Sequence, residues 1–220
     1  GLVGSEMCIR DRYDFKGMDH GNSESGYYVN TGNLPSGMVW VAKRNGEQEQ
    51  SASKLREMLK ADPVGTKTYT FSGKYNHGRF TNTPNDAQKL AHTGTFEHKV
   101  FDVEANRTRV TVSKGATLTE QNAKDAVAKV AGSEDLPTGT TYEWVNAQGN
   151  KQTLIANTPG VQNYREKVTL PMSQTGQNQP DATQKRPYKI IDVKVNVKPE
   201  APTYNTTINP KGSIGGQPEA

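Results

Sequence analysis

Two aspartates and four histidines are the residues with which this chain of 220 could do acid–base or metal chemistry. Asp102 lies in Phe101-Asp102-Val103-Glu104-Ala105-Asn106, and Asp192 lies in the matching run Ile191-Asp192-Val193-Lys194-Val195-Asn196. Paired carboxylates hydrolyse glycosides when both face one cleft at a set separation. Here each sits between apolar residues of an alternating segment, so each is predicted to point outward from its own strand and into no shared cleft. His20, His77, His92 and His98 all fall in the first half of the chain. His92 and His98 are six apart with no Asp, Glu or Cys at a recognised ligand spacing, so all four read as surface histidines. No Gly-x-Ser-x-Gly nucleophile elbow and no Gly-rich phosphate cradle occurs. Catalytic, cofactor-binding and metal residues are therefore none, no cofactor is expected, and the chain reads as a protein that is not an enzyme.

The elements that would carry these residues occur twice. Leu34-Pro35-Ser36-Gly37 precedes Met38-Val39-Trp40-Val41, and Leu136-Pro137-Thr138-Gly139 precedes Tyr142-Glu143-Trp144-Val145. The offset is 102 between the Leu-Pro pairs, 104 between Trp40 and Trp144, 96 between Pro63 and Pro159, and 90 between Asp102 and Asp192. A period near a hundred residues is a domain rather than a solenoid turn. Its shrinkage places insertions in the first copy, one of them Ser51 to Lys60, which is predicted to form a short helix with Ser caps and with Leu55, Met58 and Leu59 on one side.

Strict alternation at Ile191, Val193, Val195 and Val197, and at Phe101, Val103 and Ala105, predicts strands with one buried face. Leu-Pro-x-Gly suits a type I turn, because Pro pre-sets the second position and Gly is favoured at the fourth. Thr119 is a suitable N-cap for a helix carrying Ala123, Ala126, Val127 and Val130 up to Gly132. Repeated Trp40, Trp144, Tyr69 and Tyr164 are expected in cores, not on a sugar-stacking face. The resulting fold class is mostly β, in tandem sandwich modules that each carry a short helix.

Composition narrows the partners. Hydrophobic residues make up 32% and aromatics 7%, and mean hydropathy is -0.84, which fits small sandwiches better than one large core. Net charge is +4 and pI about 9.0. Yet the basic residues are scattered as Lys43-Arg44, Arg107-x-Arg109 and Lys185-Arg186, with acids between and no aromatic platform. This excludes nucleic-acid binding and leaves attraction to anionic wall polymers or host glycans. No stretch approaches the roughly 18 apolar residues of a membrane span.

Residues 2–12, Leu-Val-Gly-Ser-Glu-Met-Cys-Ile-Arg-Asp-Arg, resemble a translated sequencing adapter, so residues 1–12 are expected to be an artefact with native sequence starting at Tyr13. The only cysteine, Cys8, lies inside that string. The domain reading is then 13–106 as a truncated, divergent module, 107–199 as a complete one, and 200–220 as a Pro- and Gly-containing linker or the start of a further unit.

The second copy resembles a known family. Val110-Thr111-Val112, Gly115-Ala116-Thr117-Leu118-Thr119, Asn122 to Val127, Leu136 to Thr140, Tyr142-Glu143-Trp144, Asn157-Thr158-Pro159-Gly160 and Val193-Lys194-Val195 together look like the Rib/alpha-like repeat. The likeness covers 107–198 well and 33–106 loosely. It departs where such repeats have a Tyr-Pro-Asp-Gly hairpin, since Leu170-Pro171 opens into a Gln-rich excursion from Met172 to Pro187. The resemblance implies immunoglobulin-like modules in a cell-wall-attached, extracellular surface protein of Gram-positive bacteria. Its implied role is a non-catalytic stalk that projects an adhesive region and whose partners are neighbouring modules of the same chain. The alternative is a module that itself binds a host glycan or matrix protein through its irregular loops.

Overall fold

A computed structural model of the protein describes residues 11–18, 38–75, 93–173 and 186–200. The protein is mostly β, with its sheets in a sandwich-like arrangement. Strands β1 (Arg12–Phe15), β2 (Met38–Arg44), β3 (Gln50–Ser51), β4 (Gly65–Tyr75) and β5 (Thr93–Phe101) form one sheet in the order β1-β5-β4-β2-β3. Strands β6 (Val103–Ala105) and β8 (Val127–Lys129) pair with each other. Strands β7 (Val110–Ser113), β9 (Thr141–Val145), β10 (Gly160–Thr169) and β11 (Tyr188–Lys198) form the other large sheet, in the order β7-β11-β10-β9. In both large sheets the first strand lies parallel to the last, β1 on β5 and β7 on β11, while the long inner pairs are antiparallel.

The alternating runs bury the expected face. Val193, Val195 and Val197 are buried and Asp192 and Lys194 exposed, and Tyr69, Phe71, Phe96 and Val100 are buried in the five-stranded sheet. Tyr69 stacks on Phe96 at 5.1 Å. Phe15 and Phe101, from the first sheet, join the hydrophobic cluster formed by Val103, Leu118, Trp144, Val168 and Val193. Apolar packing thus runs across the junction between the sheets.

Four local expectations are corrected. Phe101 to Ala105 is not one strand, because the Asp102 carboxylate accepts the N–H of Val103 at 2.9 Å and breaks the ladder, a competition that Asp side chains commonly offer. The helix near 51–60 is a 3-10 turn Ala52–Lys54 followed by α1 (Leu55–Ala61), with Lys54 at its N-cap and no side-chain cap. Its serines bond each other, Ser51 Oγ to Ser53 Oγ at 3.0 Å. The second helix, α2 (Glu120–Asp125), does start at Thr119, whose hydroxyl and Asn122 form a reciprocal capping box. It stops seven residues before Gly132, because the β-branched Val127 and its neighbours pair with β6 instead. Finally, the turn before β9 closes one residue later than expected, with Thr140 N–H donating to Pro137 O at 3.2 Å. Gly139 then occupies its third position at φ +97°, the left-handed geometry of a type II turn. The equivalent Leu34–Gly37 lies outside the described residues.

Trp144 is a core residue, 5% exposed. Its indole N–H donates to Thr119 O at 2.8 Å, and its ring meets Tyr164 edge-on at 6.0 Å. It therefore ties β9 to the cap of α2. Trp144→Phe removes that bond and part of the ring volume, and is expected to cost about 1 to 2 kcal/mol in urea unfolding.

Candidate functional site

The densest set of chemically capable side chains is buried in the first sheet, around His98. On β5 the sequence Phe96-Glu97-His98-Lys99-Val100 puts His98 on the same face as Phe96 and Val100, so the strand period carries the imidazole into the core. His98 is 0% exposed. Its Nε2 lies 2.7 Å from Asp14 Oδ2 on β1, and its Nδ1 lies 2.7 Å from Asp62 Oδ2, just after α1. Both partners are carboxylates, which only accept. With both aspartates ionised, both ring nitrogens donate and the cluster holds His98 as an imidazolium.

The rest of the cluster completes Asp62. Tyr69 O–H donates to Asp62 Oδ2 at 2.6 Å, Arg44 Nη1 donates to Asp62 Oδ1 at 2.6 Å, and Lys16 Nζ donates to its backbone carbonyl at 3.0 Å. Burial alone would lower the His98 pKa, but the hydrogen bonds it donates to both aspartates and the charge of Asp14 outweigh it and hold the pKa above the ordinary value, with Arg12 opposing. Burial alone would raise the Asp62 pKa, yet His98, Tyr69 and Arg44 together hold it below the usual carboxylate range. Burial and the neighbouring Asp62 carboxylate push the Tyr69 phenol upward. An Asp–His–Asp relay with this geometry can hold a proton firmly. The relay is enclosed in the core: His98, Asp14 and Asp62 are 0%, 2% and 1% exposed.

The expectation of four surface histidines is corrected for His98; His20, His77 and His92 lie outside the described residues. The two aspartates singled out from the sequence do not converge. Asp192 is exposed and pairs with Arg165 Nε at 2.9 Å. Asp102, expected outward and solvated, is instead half-buried and pairs with Lys189 Nζ at 2.5 Å. Nor are they equivalent in the fold, since Asp192 lies within β11 whereas Asp102 follows the end of β5.

A second buried ionisable group was missed as well. Glu166 on β10 is 0% exposed, faces Trp144 across the ladder to β9 and Ile191 across the ladder to β11, and neither carboxyl oxygen has a hydrogen-bond partner. Burial alone pushes its pKa up to about 8. The spacing Tyr164-x-Glu166-x-Val168 is the signal that places it among core residues. Near β9 a groove of about 680 Å³ is lined by Glu120, Tyr142, Glu143, Lys151, Lys167 and Arg186 among others. The lining carries both acids and bases, and Lys167 Nζ lies over the Tyr188 ring at 4.4 Å.

The protein is mostly β, with a buried polar cluster in its first sheet and an orphaned buried carboxyl in its second. No family model matches the chain, and no curated protein matches it. Among solved structures it is similar to the crystal structure of human Protocadherin-24 EC1-2 Form II, at 8% identity over 86% of this chain and 95% of that one, with a TM-score of 0.23. A likeness at that TM-score carries no argument about fold or function.

Proposed function

We propose that this chain is a non-catalytic stalk segment of a cell-wall-attached bacterial surface protein, built from immunoglobulin-like units in tandem that project an adhesive region. The observation that carries the reading is the direction of the strands. Because β1 runs parallel to β5 and β7 parallel to β11, the chain comes into each large sheet at one end and leaves it at the other. Units connected in that way string out lengthwise, whereas antiparallel first and last strands would bring the chain back to its starting end. A packed junction supports the same reading: Lys189 reaches Asp102 and also donates to Val103 O at 3.1 Å, and Lys99 lies 3.8 Å from Glu134. These contacts stiffen the joint. The resemblance to Rib/alpha-like repeats supplies the cell-wall setting.

Cells displaying the chain with residues 107–199 present once, twice or three times, and a fluorophore at the tip, test this. Each added unit is expected to raise the fluorophore by roughly 35 Å, about the length of an eleven-residue strand, while the affinity of a fixed tip domain stays constant. Saturable binding of the untipped chain to a host glycan or matrix protein, tighter than about 10 μM, would overturn the stalk reading in favour of a direct adhesive module.

A further inference from the structure

We infer that the parallel first and last strands of each large sheet are force-bearing clamps, and that the Asp14–His98 contact reinforces the first of them. Tension along the chain pulls β7 from its N-terminal end and β11 from its C-terminal end, in opposite directions. The two strands are parallel neighbours in register from Val110↔Val195 to Ser113↔Lys198, and Lys114 N–H extends the ladder to Lys198 O at 2.9 Å. The load therefore shears every hydrogen bond of the ladder at once. β10 and β11 are antiparallel, with Gly160 opposite Val197; pulling on those adjacent ends would open the ladder one bond at a time. Shear demands that several bonds fail together, so its unfolding barrier is higher, and forced unfolding is governed by that barrier.

The first clamp has the same layout and added ties. β1 pairs with β5 from Arg12↔His98 to Phe15↔Phe101, and Lys16 N–H donates to Phe101 O at 2.9 Å. Across this ladder Asp14 holds His98, and Lys16 Nζ reaches Asp62 O. Charge-assisted bonds in a buried site are stronger than neutral ladder bonds. The stiffest resistance to extension is thus placed where β1 joins β5.

What a cell would use these clamps for rests on the stalk reading; the clamps themselves are tested by pulling single molecules. In the full chain, Arg107→Cys with Glu200→Cys and Cys8→Ser places handles that shear β7 against β11. Pro159→Cys with the same Glu200 and Cys8 changes places handles that peel β10 from β11. The expected unfolding force at one loading rate is at least about twofold higher in the shear geometry, and equal or lower force there overturns the proposal. Handles at Cys8 and Arg107→Cys read the first sheet, where Asp14→Asn is expected to lower the force by a third or more. No change on Asp14→Asn removes the reinforcement. If that variant does not fold, the comparison of the first sheet's force with the second's decides the same point: the first must be the higher. Loss of reach in the display assay with both clamps intact would sink the stalk reading alone.

Discussion

Exchanging His98 for valine is expected to cost the five-stranded sheet about 3 to 5 kcal/mol, because it removes the buried imidazole that binds both the Asp14 and the Asp62 carboxylates in the core. The double variant Asp14→Val with His98→Val is expected to cost under about 2 kcal/mol. It removes both ends of the Asp14–His98 contact, while Asp62 keeps Tyr69 and Arg44, and replacing a buried ion pair with apolar groups is commonly neutral or stabilising. Urea unfolding in a Trp144→Phe background, with Trp40 on β2 as the fluorescent reporter, makes the comparison. A single-substitution cost below about 1 kcal/mol would show that the cluster is solvated.

The same cluster fixes a pH window. The folded pKa of His98 is raised, so its contribution is fully present below the ordinary histidine value and is lost as pH rises through the folded one. The folded pKa of Asp62 is lowered, so its contribution is present above the ordinary aspartate value and is lost as pH falls through the folded one. His98 and Asp62 are therefore both at full strength between those ordinary values, and His98→Val is expected to flatten the alkaline limb of the first sheet's stability profile.

How much of this was legible in the sequence depends on what decides each feature. Period-2 alternation revealed β11 and the core role of Trp144 because burial of one face writes itself into residue type. Thr119 announced α2 through local capping chemistry. The end of that helix was not legible, since Val127 pairs with β6, more than twenty residues away, and a nonlocal partner leaves no local mark. His98 and Glu166 were missed for a different reason. Each sits at a core position of an alternating run, flanked by Phe96 and Val100 or by Tyr164 and Val168, but polar side chains are ordinarily assigned to the wet face. Asp62 lies 36 residues from His98 and Asp14 lies 84 away, so nothing local identified the partners that make the burial tolerable. A polar residue that interrupts a core-side run, rather than one lying on the outer face, is the sign to seek.

Glu166 yields the second large effect. Its folded carboxyl titrates near pH 8, against an ordinary value of 4.5, so between those two pH values the folded state binds more protons than the unfolded state. Stability of the four-stranded sheet therefore falls as pH rises from about 4.5 to 8, by a total on the order of 3 to 5 kcal/mol, and levels off above. Tyr142 on β9 and the Glu120 carboxylate beside it face the same region. Trp144 and Ile191 are the direct cross-strand neighbours, and none of these four offers a cation to hold the ionised form. Glu166→Leu removes the titration and fills the site with apolar atoms, and is expected to stabilise the sheet by about 1 kcal/mol at pH 4 and by about 4 to 6 kcal/mol at pH 9. Glu166→Gln separates the two causes: it keeps an unpartnered polar group but has no proton to lose, so its stability should stay level from pH 5 to 9 while the parent declines. Unfolding midpoints in urea at five pH values, followed by the fluorescence of Trp144, supply the comparison. A parent profile as flat as that of Glu166→Gln would mean that the carboxyl reaches water in solution and that the orphaned, fully buried position of Glu166 is not the resting state of the sheet.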